Sequence, residues 1–312
     1  MASTQSRSAK QSRDPAAWSN VIGEARSLAE TLPALLVEAQ HIASSVIAGW
    51  HGRRRPGPGE SFWQFRPFNL GEPARRVDWR RSARDEHLYV REREWEAAQT
   101  VWLWSDLSQS MNYQSGLATC TKRDRAIVLQ LSLAEMLATT GERIGIPGLL
   151  RPTSNRRAGE QVSNALQHSS LTQPLPDVSM IQRNSHVVLM SDFLDSIEDL
   201  SKCMKHISGT GAKGYVVQIV DPAEESFPFG GRIEFQDNES GQRLTAGRAQ
   251  DWREAYQAKF TQHRAAIRDL TRTTGWGYIL HHTDHSATEP LLALHNLLTS
   301  SEGTNNKGAL PR

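Results

Sequence analysis

The second half of the chain alternates short apolar runs with longer runs of helical periodicity. The strand-like runs are Thr100–Leu103, Arg143–Leu149, His186–Met190, Gly214–Val220 and Gly277–His281. The helix-like runs between them are Arg123–Thr139, Gln161–His168, Ile197–Ile207 and Ala249–Thr273. Strands that alternate with helices predict an α/β fold with a doubly wound, mostly parallel sheet. Continuous apolar strands such as VVLM fit burial on both faces of that sheet.

The rest of the chain extends this sheet domain. We expect a disordered tail at 1–14, a helical and Arg-rich extension at 15–99, the sheet domain at 100–299 and a flexible tail at 300–312. Apolar residues recur at helical spacing from Pro15 to about Trp50, and Pro33 predicts either two helices or one kinked helix. Within the sheet domain, Arg232–Ala246 predicts an antiparallel hairpin with its turn at NESG, and Glu289–Leu298 predicts a closing helix.

Composition narrows the class of protein. The formal charge of +2 over 312 residues gives no global field that would favour nucleic acid. No apolar run approaches the roughly 20 residues that cross a bilayer, and the polar start MASTQSRSAKQSRD is unlike a signal peptide. Cys120 and Cys203 lie far apart without a CxxC motif, as expected of reduced thiols. We therefore expect a cytoplasmic protein with no nucleic-acid partner and no membrane insertion.

Three small oxygen-bearing side chains follow the first strand of the predicted sheet. Asp106, Ser108 and Ser110 are spaced two apart, and Asp192 follows the strand HVVLM. Ligands of doubly wound sheets bind outside the carboxyl ends of the strands, and alternate residues of an extended loop can point the same way. Carboxylate and hydroxyl oxygens suit Mg²⁺ or Mn²⁺. The alternative is that Asp106 or Ser108 caps the following helix.

Two motifs resemble known families. DLSQS resembles the DxSxS signature of von Willebrand factor A-like domains, and Asp192 matches the aspartate that a later strand supplies to their metal-ion-dependent adhesion site. GEPARRVDWRRSAR, followed by LYVRE, is similar to the hallmark of the MoxR-associated domain-of-unknown-function family number fifty-eight. The similarity covers roughly residues 50–300. It implies a von Willebrand A-like fold of the Rossmann type and, as partners, a MoxR-type AAA+ ATPase and other von Willebrand A-like proteins.

Two positions depart from the pattern of these families. Glu72 stands where family number fifty-eight usually has Asp, and Gln161 stands where adhesion sites supply a Thr from the middle loop. Thr153, Ser154 and Ser163 are hydroxyl residues nearby, but none is at the expected place. The resemblance therefore implies an adhesion site that lacks one of its usual ligands.

The Arg-rich block is the densest cluster of functional-looking residues. Its members are Arg75, Arg76, Asp78, Trp79, Arg80, Arg81 and Arg84. Guanidinium groups can bind a partner's carboxylates, or they can form an internal network with Asp78 and Glu72. We expect a mixture, in irregular loops that end in a strand near His87–Arg93. In an extended segment Asp78 would be buried, Trp79 would pack on the sheet, and Arg80 or Arg81 would remain for a partner. Of these two arginines, we expect Arg81 to be the more exposed.

Two functions of different classes fit these residues. The favoured one is a non-enzymatic interaction module, an adaptor for a MoxR-type AAA+ ATPase. The alternative is a metal-dependent hydrolase or phosphatase with Asp106 as nucleophile, although Ser108 stands where such enzymes want a second carboxylate. HHTDH, from His281 to His285, lacks zinc-site spacing and predicts structural histidines. Trp102 and Trp104 share one face of a strand and predict core packing.

Overall fold

The computed structural model describes two compact units of the chain. The described residues are 15–51, 62–69, 72–84, 87–93, 98–167, 175–236 and 241–300. One unit comprises the described residues up to Ile47 together with those from Gln99 onward, and the other comprises those between Ala48 and Ala98. The tail predicted at 1–14, residues 301–312 of the tail predicted at 300–312, and most of the NESG turn lie outside the described residues, whereas Ser300 ends the last helix.

The regular elements carry the following labels. Within the described residues, the strands are β1 (Phe62–Pro67), β2 (Tyr89–Arg93), β3 (Thr100–Ser105), β4 (Arg143–Ile146), β5 (Leu150–Thr153), β6 (Ser185–Ser191), β7 (Lys213–Val220), β8 (Ile233–Gln236), β9 (Arg243–Ala246) and β10 (Gly277–His282). The α-helices there are α1 (Pro15–His51), α2 (Trp79–Ser82), α3 (Lys122–Thr139), α4 (Ala158–Gln167), α5 (Ile197–Gly209), α6 (Pro222–Ser226), α7 (Arg253–Thr274) and α8 (Thr288–Ser300).

A six-stranded sheet in the order β10-β7-β6-β3-β4-β5 organises the larger unit. All neighbours pair in parallel except β4 and β5, which are antiparallel. The predicted mostly parallel sheet is confirmed, and β3 lies in its interior. The strand predicted at Arg143–Leu149 is confirmed in its first four residues, but it ends at Ile146. Gly148 has φ +75°, a conformation open to glycine, and the chain turns there into β5.

Helices cover both faces of this sheet. Val101, Leu103, Val188 and other residues of one face share a core with α1, α3, α4 and α8. Trp102 and Trp104 are on the opposite face, in a core that also contains Met204 of α5 and Ile267 of α7. Successive strand residues therefore enter opposite cores, as the period of two in a strand requires. The predicted core role of the two tryptophans is confirmed.

Helix α1 belongs to the larger unit as far as Ile47. It is one continuous helix with Pro33 inside it. Leu32, Ala39, Ala43 and Val46 are buried in the core shared with α3. From sequence, this segment was expected to form one extension with the Arg-rich block. Among the described residues, 30–48 of α1 form the one stretch that is long and apolar enough to cross a membrane by length and composition.

Candidate site at the carboxyl edge of the sheet

The loop after β3 is anchored by the side chain of Asp106. The backbone N–H of Asp106 donates to the Met190 carbonyl of the neighbouring strand β6 at 2.9 Å, so the chain leaves the sheet in a fixed direction. Asp106 Oδ1 then accepts the N–H of Ser108 at 2.8 Å, and Oδ2 accepts the hydroxyl of Ser191 at 2.7 Å. The Asp106 side chain is fully buried. It thus fastens its own loop to the end of β6.

Burial dominates the charge state of this carboxyl group. It raises the pKa of Asp106 to about 6, against the opposing effect of the hydrogen bonds from Ser108 and Ser191. Asp192 adds a small further increase because two carboxylates repel each other. Ser108 and Ser110 place their hydroxyl oxygens 3.0 Å apart beside this group. All four sequence-predicted ligand residues therefore lie at one edge of the sheet.

The end of β6 supplies Asp192 in a constrained backbone. Phe193, the next residue, has φ +53°, which is rare for a residue with a side chain and costs energy that the surroundings must supply. Its N–H donates to Ser191 Oγ at 3.1 Å, and the Leu194 N–H donates to Asp192 Oδ1 at 3.2 Å. The Gln218 amide of β7 donates to the Asp192 carbonyl at 3.0 Å. These bonds fix the direction of the Asp192 side chain.

Lys122, which the sequence analysis missed, places an ammonium group at the centre of this edge. It is the first residue of α3 and is 1% exposed. Its Nζ lies 2.7 Å from Asp192 Oδ2 and 2.5 Å from Glu224 Oε1. Burial alone would lower the pKa of Lys122, but attraction by Asp192 and Glu224 outweighs it, so the pKa lies above its ordinary value. The edge therefore contains a charged amine.

A third strand end contributes a carboxylate to the same edge. Asp221 follows β7 and is fully buried. Its side chain caps α6, where Glu224 reaches back to the Asp221 N–H in a capping box. Its Oδ2 also accepts the N–H of Ser115 at 2.8 Å, which holds the β3–α3 loop. The sequence pattern could have indicated Asp221, because Asp-Pro follows the apolar run YVVQIV just as Ser-Asp follows HVVLM.

Gln161 lies far from this edge. The first turn of α4 packs on α3 so closely that a side-chain carbon at Gly159 would meet Glu135. Glu135 follows Lys122 by 13 residues in α3, which is about 20 Å along a helix axis. Gln161 therefore does not complete the ligand set. The hydroxyl residues Thr153, Ser154 and Ser163 are near Gln161 in the sequence.

These donor atoms fit a divalent metal ion poorly. Oδ2 of Asp192 already contacts an ammonium group, and both oxygens of Asp106 accept hydrogen bonds. In the part of the chain that the structure describes, no group of three or more His, Cys, Asp or Glu side chains is arranged to hold a metal ion. The predicted Mg²⁺ or Mn²⁺ stays a prediction, which direct titration can test.

The Arg-rich block forms a helical turn in the smaller unit. Asp78 is the N-cap of α2, and its Oδ1 accepts the N–H of Arg81 at 3.0 Å. The predicted packing of Trp79 on the sheet is wrong, because the Trp79 side chain is 61% exposed. An extended backbone was assumed there, whereas a helical turn redirects each side chain. Asp78 is half-buried and acts as a cap.

The arginines of this block differ in exposure. Arg75, Arg80 and Arg84 are exposed, and nothing is described of the Arg76 side chain. Arg81 is half-buried, and its guanidinium carbon lies 4.9 Å from the ring centroid of Tyr89 and 5.8 Å from that of Phe65. Such stacking stabilises local structure. The expectation that Arg81 is the more exposed of the pair Arg80 and Arg81 is therefore wrong.

The histidines of HHTDH act in local structure. His281 is buried, and burial lowers its pKa to about 3. His282 Nε2 lies 2.6 Å from Glu225 Oε2, and Arg264 binds the other oxygen of Glu225 at 2.6 Å. This cluster ties the end of β10 to α6 and α7.

Comparison with known proteins identifies the family. The family model described as protein of unknown function DUF58 matches residues 64–266, and the chain belongs to this family. Uncharacterized proteins of Mycobacterium tuberculosis and Mycobacterium bovis are each 27% identical to it over 233 residues, which cover 69% of this chain and 72% of theirs.

Two solved structures are distantly similar. An aerotolerance-related membrane protein from Bacteroides fragilis is 15% identical with a TM-score of 0.41. The conserved hypothetical protein BatB from Bacteroides thetaiotaomicron is 12% identical with a TM-score of 0.42. Each match covers 65% of this chain and the whole of the other.

Proposed function

We propose that this DUF58 protein is a non-enzymatic interaction module that docks a protein partner at the carboxyl edge of its sheet. The partner we propose is a MoxR-type AAA+ ATPase, or another von Willebrand A-like protein assembled with it. The protein would act as an adaptor, so that its own residues bind and orient the partner and perform no chemical step.

One observation carries this proposal, namely the hydrogen bonding of Asp106. Both of its carboxylate oxygens accept hydrogen bonds, and its side chain is fully buried. A nucleophile must be able to reach the reacting atom, and a fully buried side chain that is held at both oxygens is not placed to do so. Asp106 instead holds the β3–α3 loop against β6. The arrangement favours a rigid loop platform over the hydrolase alternative.

Two loops at the carboxyl edge of the sheet expose apolar side chains. Leu117, in the loop between β3 and α3, is 54% exposed, and Leu194, in the loop between β6 and α5, is 43% exposed. Single exposed leucines are common on protein surfaces. Here both leucines lie in loops whose backbones are held by buried carboxylates. The positions of the two leucines are therefore fixed before a partner binds. Such preorganisation lowers the entropic cost of association.

Binding to a purified MoxR-type ATPase from the same organism tests the proposal. Replacing Leu117 and Leu194 together by Glu is expected to weaken the affinity by at least about tenfold, because burying an unpaired carboxylate is unfavourable. Leu244→Glu is the matched control, since Leu244 is 60% exposed on β9 and distant in sequence from these loops. Equal affinities for all three proteins would refute this docking surface, and absence of binding to the ATPase would refute this partner.

A phosphatase assay addresses the enzyme alternative directly. Phosphomonoester substrates supplied with Mg²⁺ are expected to give no turnover above a no-protein control. Turnover that Asp106→Asn abolishes while the fold is retained would replace the adaptor proposal with the hydrolase one.

A further inference from the structure

The ammonium group of Lys122 lies between two carboxylates at this edge of the sheet. It contacts Asp192 from the end of β6 and Glu224 from the α6 turn that follows β7. Its own backbone begins α3, directly after the loop that carries Ser108 and Ser110. One positive charge therefore joins the ends of three neighbouring strands, β3, β6 and β7.

We propose that Lys122 is the resident cation of the carboxyl-edge site, and that the site is assembled without a divalent metal ion. This inference concerns the site itself and holds whichever partner binds there. It deepens the proposed function in one respect, since it makes partner binding independent of metal.

The geometry leaves little room for both cations. A Mg²⁺ ion bound directly to Asp192 would lie about 2.1 Å from a carboxylate oxygen. Oδ2 of that carboxylate is 2.7 Å from the ammonium nitrogen, so an ion on Oδ2 would be within about 5 Å of it. At that distance in a buried site the two positive charges repel strongly. A metal ion could therefore bind Oδ2 of Asp192 only if the ammonium moved away.

The surroundings hold the ammonium in place. Lys122 is almost fully buried, and its Nζ lies 5.7 Å from the ring centroid of Tyr113. Thr121 caps the helix by accepting the Asp124 N–H at 3.0 Å, which fixes where the Lys122 side chain starts. Leaving the site would strip Asp192 of its counter-ion in a buried environment, and an unpaired buried charge is costly.

Titration of the purified full-length chain with Mn²⁺, followed by the electron paramagnetic resonance signal of free Mn²⁺, tests the inference. The wild-type protein is expected to bind Mn²⁺ no tighter than about 1 mM, and its melting temperature is expected to be the same in Mg²⁺ and in EDTA. Tighter binding by the wild type that Asp192→Asn abolishes would overturn the inference, and this arm needs no Lys122 variant.

Removing the ammonium provides the second arm. Lys122→Met keeps an unbranched side chain of nearly the same length without the charge, and it should bind Mn²⁺ at least about tenfold more tightly than the wild type. Its melting temperature should fall in EDTA and partly recover with Mn²⁺. Lys205→Met, at an exposed position of α5, should behave like the wild type. A folded Lys122→Met protein that gains no Mn²⁺ binding would overturn the claim that the ammonium stands in a metal's place.

The partner arm separates this inference from the proposed function. If the ATPase binds equally well in EDTA and in Mg²⁺, both stand. If the ATPase binds the wild type only in Mg²⁺, and its binding to Asp192→Asn no longer depends on Mg²⁺, the inference fails while the adaptor proposal survives. If it never binds, the adaptor proposal fails and the Mn²⁺ titration still decides the role of Lys122.

Discussion

Asp106 makes the stability of the protein depend on pH in a direction opposite to that of most carboxylates. Its pKa is about 6 in the folded protein and 3.8 as the ordinary value, so the folded state binds more protons than the unfolded state between these limits. Unfolding free energy from this group therefore rises as the pH falls through 6. Above pH 6 this stabilising contribution of Asp106 is lost, because burial of the ionised carboxylate is unfavourable.

Substitution by Asn isolates this effect. Between pH 8 and pH 5 the unfolding free energy of the wild type should rise by about 1 kcal/mol relative to that of Asp106→Asn. Buried histidines with lowered pKa values, such as His186 and His281, act in the opposite direction, but they are present in both proteins and cancel. Urea denaturation of both proteins at the two pH values measures the difference. A constant difference would show that Asp106 is ionised at pH 5 in the folded state.

Single residues also mark where sequence reasoning succeeded and failed. Asp106 and Asp192 could be placed at one edge because each follows an apolar strand, and parallel strands end together. Lys122 could not, because its partners Asp192 and Glu224 are 70 and 102 positions away in sequence. A lysine at the start of a helix carries no local sign of such pairing, and chain topology alone creates it.

At the scale of elements, strand β7 depends on a close approach by Trp276. A side-chain carbon at Gly214 would lie 2.0 Å from the indole ring, and Trp276 is buried. Gly214→Ala should therefore destabilise the protein by about 1–3 kcal/mol, because a packed core cannot accept the extra volume. Thermal denaturation measures this.

The matched control for that substitution is Gly209→Ala. Gly209 ends α5, and apart from its chain neighbours and the backbone of its own helix no heavy atom lies within 4 Å of the added carbon. Its replacement should leave stability unchanged or raise it by up to about 1 kcal/mol, since Ala favours the helix. Similar losses in both variants would contradict a specific clash at Trp276.

The cap of α2 is testable without unfolding the whole chain. Asp78→Ala removes the acceptor of the Arg81 N–H, a loss of about 1 kcal/mol for an N-cap. Amide hydrogen exchange in a peptide covering this turn should therefore become about fivefold faster. Arg80→Ala, at an exposed position of the same turn, should leave the exchange unchanged. Faster exchange in both variants would argue that the turn is held by side chains other than Asp78.

Elements also show the limit of apolar patterning. The parallel strands and the long helices α3, α5 and α7 were predicted within a few residues, because their periodicity is strong. Strand β5 and helix α6 were missed. Both are short, and turn residues such as Gly148 and Pro222 determine them rather than a repeat of apolar side chains.

At the scale of the whole molecule, α1 unites the N-terminal segment with the sheet domain. Leu32 is fully buried in the common core, whereas Val37 on the same helix is 67% exposed. Leu32→Ala should cost about 2–5 kcal/mol of unfolding free energy. Val37→Ala should cost within about 0.5 kcal/mol. Chemical denaturation of the full chain compares the two. Equal effects would mean that α1 does not pack in solution as described.

The edge of the sheet that is formed by β5 limits how this molecule can associate. Strand β5 is its outermost strand on that side, spans four residues and carries Pro152 and Arg151. Proline has no N–H to donate to an added strand, and short charged edges resist edge-to-edge polymerisation. Addition of a further strand along this edge, whether in a fibril or in a swapped dimer, is therefore disfavoured.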